Sequence, residues 1–402
     1  CLSCLRRWQR YVRSYGLIFS RILKASITCK YFVAEKPCVF HKGDNSVLCE
    51  CKNYKRRGPK ILIIKLDAMG DVLRTTAILS PLKKKAPDSS IYWITKSNSV
   101  EILSNNPLID KTFVYNDKSI LYLSTVYFDA VYCFDITPES CCLTSIIKSE
   151  KYYGFVWNSK NEIPVPADKK AEYWYSLSSN DVLKKNNKLT YQQILLKTAG
   201  LKCENISGYP IHYYFTGSDT EFGDKWKRKN GFDASLFTVG LNLGVGGKWL
   251  AKKWQPENYI DLIKLLKKCG KEINIIVFQD FDSDKSLSYK SSLKSLEKTG
   301  NVYVNKKRLT FRNYAVLLGF CDLIATSDTL AFHLAAAFGK TSVCLAGPTS
   351  ATELENYGNG IIITSDKKKC LCCYKTDCSI SPNCMDDITP ETVCEKIYEK
   401  YL

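Results

Sequence analysis

The chain has 402 residues, 45% hydrophobic and 24% charged, an ordinary globular composition that excludes wholesale disorder and leaves room for two or three domains. Its net charge is +18, yet residues 1–60 hold 14 Lys or Arg against three acids (+11), while the other 342 hold 44 against 37 (+7). The basic excess belongs to the N-terminal stretch, and because charge is the sole feature pointing to nucleic acid, no nucleic-acid partner is expected.

Residues 1–58 read as a basic, aromatic, cysteine-containing extension, with Trp8, Tyr11, Leu17, Phe19 and Ile22 interleaved among the cations. That pattern predicts an amphipathic segment in the interface of an anionic membrane; the alternative is a helix packed on the protein's own surface. No run reaches the ~18 apolar residues needed to span a bilayer, and no small-residue cleavage site of a signal peptide is evident.

From there the pattern alternates. Lys60–Leu66 (KILIIKL) predicts a strand buried on both faces, followed by a turn and a helix over Asp71–Lys85. Strands are expected at Ser90–Thr95, Lys111–Tyr115 and Ala130–Asp135, a short helix at Ser97–Leu103 and a later one over Thr190–Gly200. Residues 205–235 suit a linker plus a surface helix. A second block has strands at Leu236–Leu243, Ile273–Phe278, Asp322–Thr326 and Thr341–Ala346, and helices at Pro256–Lys268, Phe311–Phe320, Thr329–Phe338 and Thr389–Tyr401. Repeated β-α-β alternation predicts an α/β fold of two doubly wound sheets.

Three strand-to-helix junctions carry chemistry. Met69, Gly70, Asp71 and Arg74 follow the first strand, where the carboxyl edge of an open sheet makes a ligand crevice. Asp71 by pattern alone is a helix cap. Asn242, Gly244, Gly246, Gly247 and Lys248 form a glycine-rich loop whose amides suit a phosphate, without P-loop spacing, and Lys252 lies just before the next helix. Asp328 and Thr329 open a helix on which His333 shares a face with Thr329, and Gly347, Pro348 and Thr349 follow a later strand. Capping is the plain reading of Asp328 and Thr329.

In this order the segments KILIIKLDAMGDVLRTTAIL, KKWQPENYIDLIKLL, CDLIATSDTLAFHLAAAFGKTSVCLAGPT and CMDDITPETV resemble glycosyltransferase family 9, the heptosyltransferases, over about residues 60–402. The resemblance implies a GT-B fold, two Rossmann-like domains facing across a cleft: residues 59–216 for the acceptor and 217–402 for a nucleotide sugar. It also implies an inverting transfer of a sugar, plausibly a heptose, onto a glycolipid or cell-surface glycan, at the inner face of a bacterial cytoplasmic membrane, with no metal needed for the chemistry. By the same resemblance Asp71 is the general base and Lys252 meets the donor phosphates. Asn242, Gly244, Gly246, Gly247, Lys248, Asp328, Thr329, His333, Gly347, Pro348 and Thr349 line the donor; Met69, Gly70 and Arg74 lie on the acceptor side. The family's acidic residue after Ile273–Phe278 matches Asp280 or Asp282. One departure is Leu330, where the family usually has glycine. A bulky side chain there is expected to crowd the diphosphate, and it supports a second reading, a non-catalytic, cysteine-rich binding or scaffold protein.

Six of the 19 cysteines fall within residues 1–51 and six within 370–394. Cys370, Cys373, Cys378 and Cys384 suit a structural zinc ion or iron–sulfur cluster, and Cys29, Cys38, His41, Cys49 and Cys51 a second site or the completion of the first; free thiols or disulfides are the alternative.

Overall fold

The computed structural model describes residues 27–33, 35–44, 52–202, 205–247, 249–268, 270–279 and 287–401. The proposed membrane segment, Cys49, Cys51, Lys248, Asp280 and Asp282 lie outside the described residues. Among the described residues no helix is long and apolar enough to cross a membrane.

The first sheet comprises β1 (Lys60–Ile64), β2 (Ser90–Thr95), β3 (Lys111–Val114), β4 (Ala130–Cys133), β5 (Tyr152–Asn158) and β6 (Ile163–Pro166). Its order is β3-β2-β1-β4-β5-β6, parallel except for β6, which pairs antiparallel with β5. The second has β7 (Thr238–Asn242), β8 (Asn274–Phe278), β9 (Val302–Val304), β10 (Leu323–Ser327), β11 (Thr341–Leu345) and β12 (Gly360–Ile363). Its order, β9-β8-β7-β10-β11-β12, is wholly parallel. The two orders are the same, and each reverses direction beside its first strand. That reversal opens a crevice at the carboxyl ends of β1 and β4 in one sheet and of β7 and β10 in the other. The apolar run of β1 works as expected for a central strand: Leu62, Ile63 and Ile64 are buried completely, with helices covering both faces.

The crevices face each other. Gly70, in the helix Met69–Thr75, packs so closely on His333, in the helix Leu330–Ala337, that a Cβ at position 70 would lie 2.8 Å from His333 Cδ2. One apolar cluster runs through both lobes, joining Ile63, Val72 and Leu73 to Ile276, Phe278, Ala331 and Leu334. Polar ties reinforce it: Arg312 donates to Glu101 O at 3.2 Å, and Tyr357 Oη donates to Tyr209 O at 3.1 Å.

Two expectations are corrected. The helix read over Asp71–Lys85 is two helices, Met69–Thr75 and Leu79–Lys85, separated by a 3₁₀ turn at Thr76–Ile78. The Thr75 and Thr76 hydroxyls donate to Asp71 O and Leu73 O, and Pro81 supplies no amide to the helix ladder. The hairpin β5–β6 and the edge strands β9 and β12 were not foreseen, being short, polar at their ends, or interrupted by proline.

Candidate active site

The first wall grows from the carboxyl end of β1. Lys65 is buried directly after the strand and pairs with Asp135, which follows β4 across the switch point. Asp135 also accepts from Leu66 N at 2.6 Å and Ser140 Oγ at 3.1 Å, so its carboxylate is fully held. Lys65 Nζ reaches on to Asp71 Oδ2 at 3.7 Å. Asp71 does not cap its helix: the N-cap residue is Ala68, with no side-chain cap bond. Its carboxylate instead meets Arg74, at 2.9 Å from Nε and 2.7 Å from Nη2. Arg74 in turn lies flat on Tyr191, 3.6 Å from the ring centroid, and the Tyr191 hydroxyl is 3.1 Å from Thr75 Oγ1. Burial alone would raise the pKa of Asp71, but Arg74, Lys65 and His333 together hold the carboxyl far below the usual carboxylate range. The result is a permanent carboxylate, 32% exposed, pinned between two cations at the cleft.

The second wall grows from β7 and β10. Lys252 Nζ donates to Asp328 Oδ2 at 2.8 Å and to Asp328 O at 3.2 Å. Thr349 Oγ1 donates to the same carboxylate oxygen at 2.7 Å. Burial opposes the charge on Asp328, but Lys252, His333 and the Thr349 hydroxyl hold its pKa low. Thr329 does cap: it is the N-cap residue of Leu330–Ala337, and its Oγ1 accepts from Ala331 N at 3.2 Å. Asn242 is a rivet. Its Nδ2 donates to Gly244 O, Thr326 Oγ1 and Thr329 Oγ1 at 2.9, 3.0 and 3.2 Å, and its Oδ1 accepts from Tyr314 at 2.9 Å. It shapes the glycine loop, with both polar atoms of its side chain already engaged in the protein.

Between the walls sits His333, 5% exposed, with Nε2 at 4.0 Å from Asp328 Oδ1. Burial first, then Arg74, lower its pKa to about 4, so at neutral pH the ring is uncharged.

The cleft has a volume of about 750 Å³ and is lined by both walls together. Met69, Gly70, Asp71 and Arg74 meet Gly244, Gly246, Lys252, Asp328, Thr329, His333 and Thr349 there, with Asn242 at its floor. Gly247, Gly347 and Pro348 are not on its surface. Gly347 serves packing instead: a Cβ there would collide with Cys384 Sγ. Leu330 lines the cleft while packing on the apolar cluster shared by the lobes, in ordinary helical backbone. Residues that sequence reasoning missed are Lys65, Asp135, Tyr191, Arg308, Glu353 and Tyr374. Only Lys65 left a signal, as a lone cation in an otherwise apolar run.

The cysteine expectation is not shown. Among the described residues no group of three or more His, Cys, Asp or Glu, Cys370, Cys373, Cys378 and Cys384 included, is placed to hold a metal ion. The backbone of this segment is engaged elsewhere. Cys372 N donates to Gly347 O at 3.0 Å, Tyr374 N to Pro348 O at 2.8 Å, and Thr376 O accepts from Ala251 N at 2.8 Å. The segment is thus strapped across the loops carrying Thr349 and Lys252. The thiols remain neighbours, since burial followed by the Cys370, Cys373 and Cys378 thiols pushes Cys384 up to about 11.

The sequence model of glycosyltransferase family 9 (heptosyltransferase) matches residues 121–383. Lipopolysaccharide heptosyltransferase 1 of Campylobacter coli is 24% identical over 310 residues, 72% of this chain and 84% of that protein. Among solved structures, a family 9 glycosyltransferase from Veillonella parvula superposes with a TM-score of 0.62 at 16% identity, covering 85% of this chain and 96% of the other. The E. coli ADP-heptose lipopolysaccharide heptosyltransferase II gives 0.58 at 18% identity, covering 85% and 98%.

Proposed function

The chain belongs to glycosyltransferase family 9, the heptosyltransferases, and from that premise we propose that it transfers heptose from ADP-heptose to a lipopolysaccharide-type glycan acceptor, with Asp71 as the base. The observation that carries this reading is the pairing of walls in one cleft: a clamped carboxylate, Asp71, opposite a lysine, Lys252, beside a glycine-rich loop and a helix N-terminus.

In this reading the acceptor oxygen attacks the anomeric carbon while the bond to the diphosphate breaks, inverting the configuration. The electron pair of the broken bond leaves on ADP. Lys252, Arg308, the amides of the Gly244–Gly246 loop and the start of the helix Leu330–Ala337 stabilise that growing charge. Asp71, held so acidic by Arg74 and Lys65, is a weak base at rest. A weak base suffices when the proton moves late: once the attacking oxygen has bonded to carbon it is positively charged and strongly acidic. Clamping keeps the carboxylate ionised and aimed, which is the positioning half of general-base catalysis. Leu330, packed on the shared apolar cluster, does not favour the non-catalytic reading.

The donor assignment is tested by thermal denaturation with a panel of sugar nucleotides. ADP and ADP-heptose at saturating concentration are expected to raise Tm by several degrees. A protein indifferent to every member of the panel overturns the reading. The basic N-terminal stretch is proposed to hold the enzyme on an anionic, cytoplasmic membrane face. Removing residues 1–57 should weaken binding to anionic vesicles and spare nucleotide binding; undiminished vesicle binding removes the anchoring role.

A further inference from the structure

Glu353 ends the short 3₁₀ turn Ala351–Glu353 and lines the cleft. Tyr374, from the cysteine-rich strap, stands close enough to its carboxylate to draw the pKa down, and the Tyr374 hydroxyl accepts from Ser350 N at 3.4 Å. From the facing lobe Lys184 lies over the Tyr374 ring, 3.8 Å from its centroid. Arg74 and Lys184 from the first wall and Asp328 from the second all act on Glu353 through space, and its side chain lines the cleft that both walls share.

A carboxylate offers about four acceptor sites, and desolvating it without filling them is costly. The protein fills few. The Tyr374 hydroxyl is a polar neighbour that draws its pKa down, and among the described residues neither Arg74 nor Lys184 forms an ion pair with Glu353. Asp135 and Asp328 show how this chain fills a buried carboxylate: each is met by a lysine and by hydroxyl or amide donors. Glu353 is left without such a set among the described residues, and it lines the same cleft as Asp71 and Lys252.

We propose that Glu353, oriented by Tyr374, is a specificity-determining residue that accepts hydrogen bonds from neighbouring hydroxyls of a sugar in the cleft. The inference rests on the transferase reading above and deepens it. Hydroxyl pairs of this kind occur on the transferred sugar and on the acceptor sugar alike. Burial raises the pKa of Glu353 above the ordinary Glu range, against the pull of Arg74, Lys184 and the Tyr374 hydroxyl and with the push of Asp328. Because the ionised form does the accepting, sugar recognition is present above that raised value and lost as pH falls through it.

The test compares native protein with Glu353→Gln, Glu353→Asp and Tyr374→Phe, using ADP and ADP-heptose as probes in binding, and both substrates in turnover. Glu353→Gln should leave Tm and ADP affinity unchanged, because ADP carries no sugar to read. If the carboxylate reads the donor, the preference of native protein for ADP-heptose over ADP narrows by about tenfold. If it reads the acceptor, that preference stays and the acceptor KM rises by about the same factor. In either case Glu353→Asp restores part of the loss, Tyr374→Phe gives a smaller loss, and the acidic limb of kcat/KM seen in native protein disappears in Glu353→Gln. Native binding and turnover with an indifferent Glu353→Gln overturns the inference alone. Native protein that binds neither probe overturns the donor reading and the inference with it.

Discussion

The two walls of the cleft are built by one topology and end in opposite chemistry. In each sheet the reversal of strand order beside the first strand creates the crevice, and in each a lysine and an aspartate meet there. On the first wall the buried pair Lys65–Asp135 is complete in itself, and a second carboxylate, Asp71, projects past it, 32% exposed. On the second wall Lys252 and Asp328 are 13% and 14% exposed and have each other as partner. The fold therefore supplies a place, and one extra residue on the helix after β1 gives the first wall its partly exposed carboxylate, the proposed base. That carboxylate is kept by its surplus of cations: Lys65 and Arg74 both meet Asp71, without the closed hydrogen-bond set that holds Asp135.

The harshest challenge to this contrast is Asp71→Asn. It keeps shape and contact with Arg74 and removes the negative charge. A fall in kcat/KM of about 10³ is expected, in the range lost with a general base. ADP affinity should not change. Undiminished transfer would mean that the clamp on the first wall serves structure only.

A smaller effect is expected on the second wall. Lys252→Met should lower kcat/KM about 10²-fold by removing charge stabilisation from the leaving diphosphate, with a matching loss of ADP-induced stabilisation. It also strands the buried Asp328 carboxylate, held then by Thr349 and facing neutral His333, at a cost of about 2–3 kcal/mol. Adding Asp328→Asn should restore most of the stability measured by urea unfolding and none of the activity. If activity returns with stability, Lys252 matters only as the partner of Asp328.

Much of this was legible in the sequence, for particular reasons. β1, β7, β8, β10 and β11 are central parallel strands buried on both faces, so their apolar runs are continuous and their ends lie close to where the pattern breaks. Residues just beyond those ends had to sit at the carboxyl edges, which is why Asp71, Lys252, Asp328 and His333 were within reach. The edge strands β6, β9 and β12 carry weaker patterns, since an edge is half-buried and β6 contains two prolines. Glu353 and Tyr374 were invisible because one ends a single 3₁₀ turn and the other lies in irregular chain, and the strap of the cysteine-rich segment across Gly347 and Pro348 brings them together. Capping was the plain pattern reading of three residues; Thr329 caps, whereas Asp71 is drawn off by Arg74 and Asp328 by Lys252.

His333 stands between the walls and gives the contrast a pH dependence. Its folded pKa is about 4 against 6.5 for the free side chain, because burial, Arg74 and Lys252 outweigh Asp328 and Asp71. Between these values the unfolded chain takes up a proton that the folded chain refuses. The contribution is therefore complete above pH 6.5 and is lost as pH falls towards 4, by about 3 kcal/mol in all. Asp71 and Asp328 stay ionised through that window, so they do not cancel it. His212 is also lowered by burial and adds a slope of its own. His333→Gln should flatten the dependence of unfolding free energy on pH between 7 and 4.5, leaving the His212 part. An unchanged slope would mean that the ring is not held neutral between the walls.

The least effect is expected at Leu330, where the second wall departs from its family's glycine. The side chain reaches the cleft but rests on the apolar cluster that crosses between the lobes, and the backbone is ordinary helix, so nothing at this position demands glycine. Leu330→Gly removes half-buried apolar surface and loosens the first helical turn, a loss of about 1–2 kcal/mol in urea unfolding. ADP affinity, measured on the same protein by calorimetry, should stay within about threefold, since a side chain that lies on the core does not stand where the phosphates bind. A tenfold gain in ADP affinity would show instead that Leu330 narrows the diphosphate site. The second wall would then be the one under constraint, with the glycine loop and Lys252 working around an obstacle rather than in an open crevice.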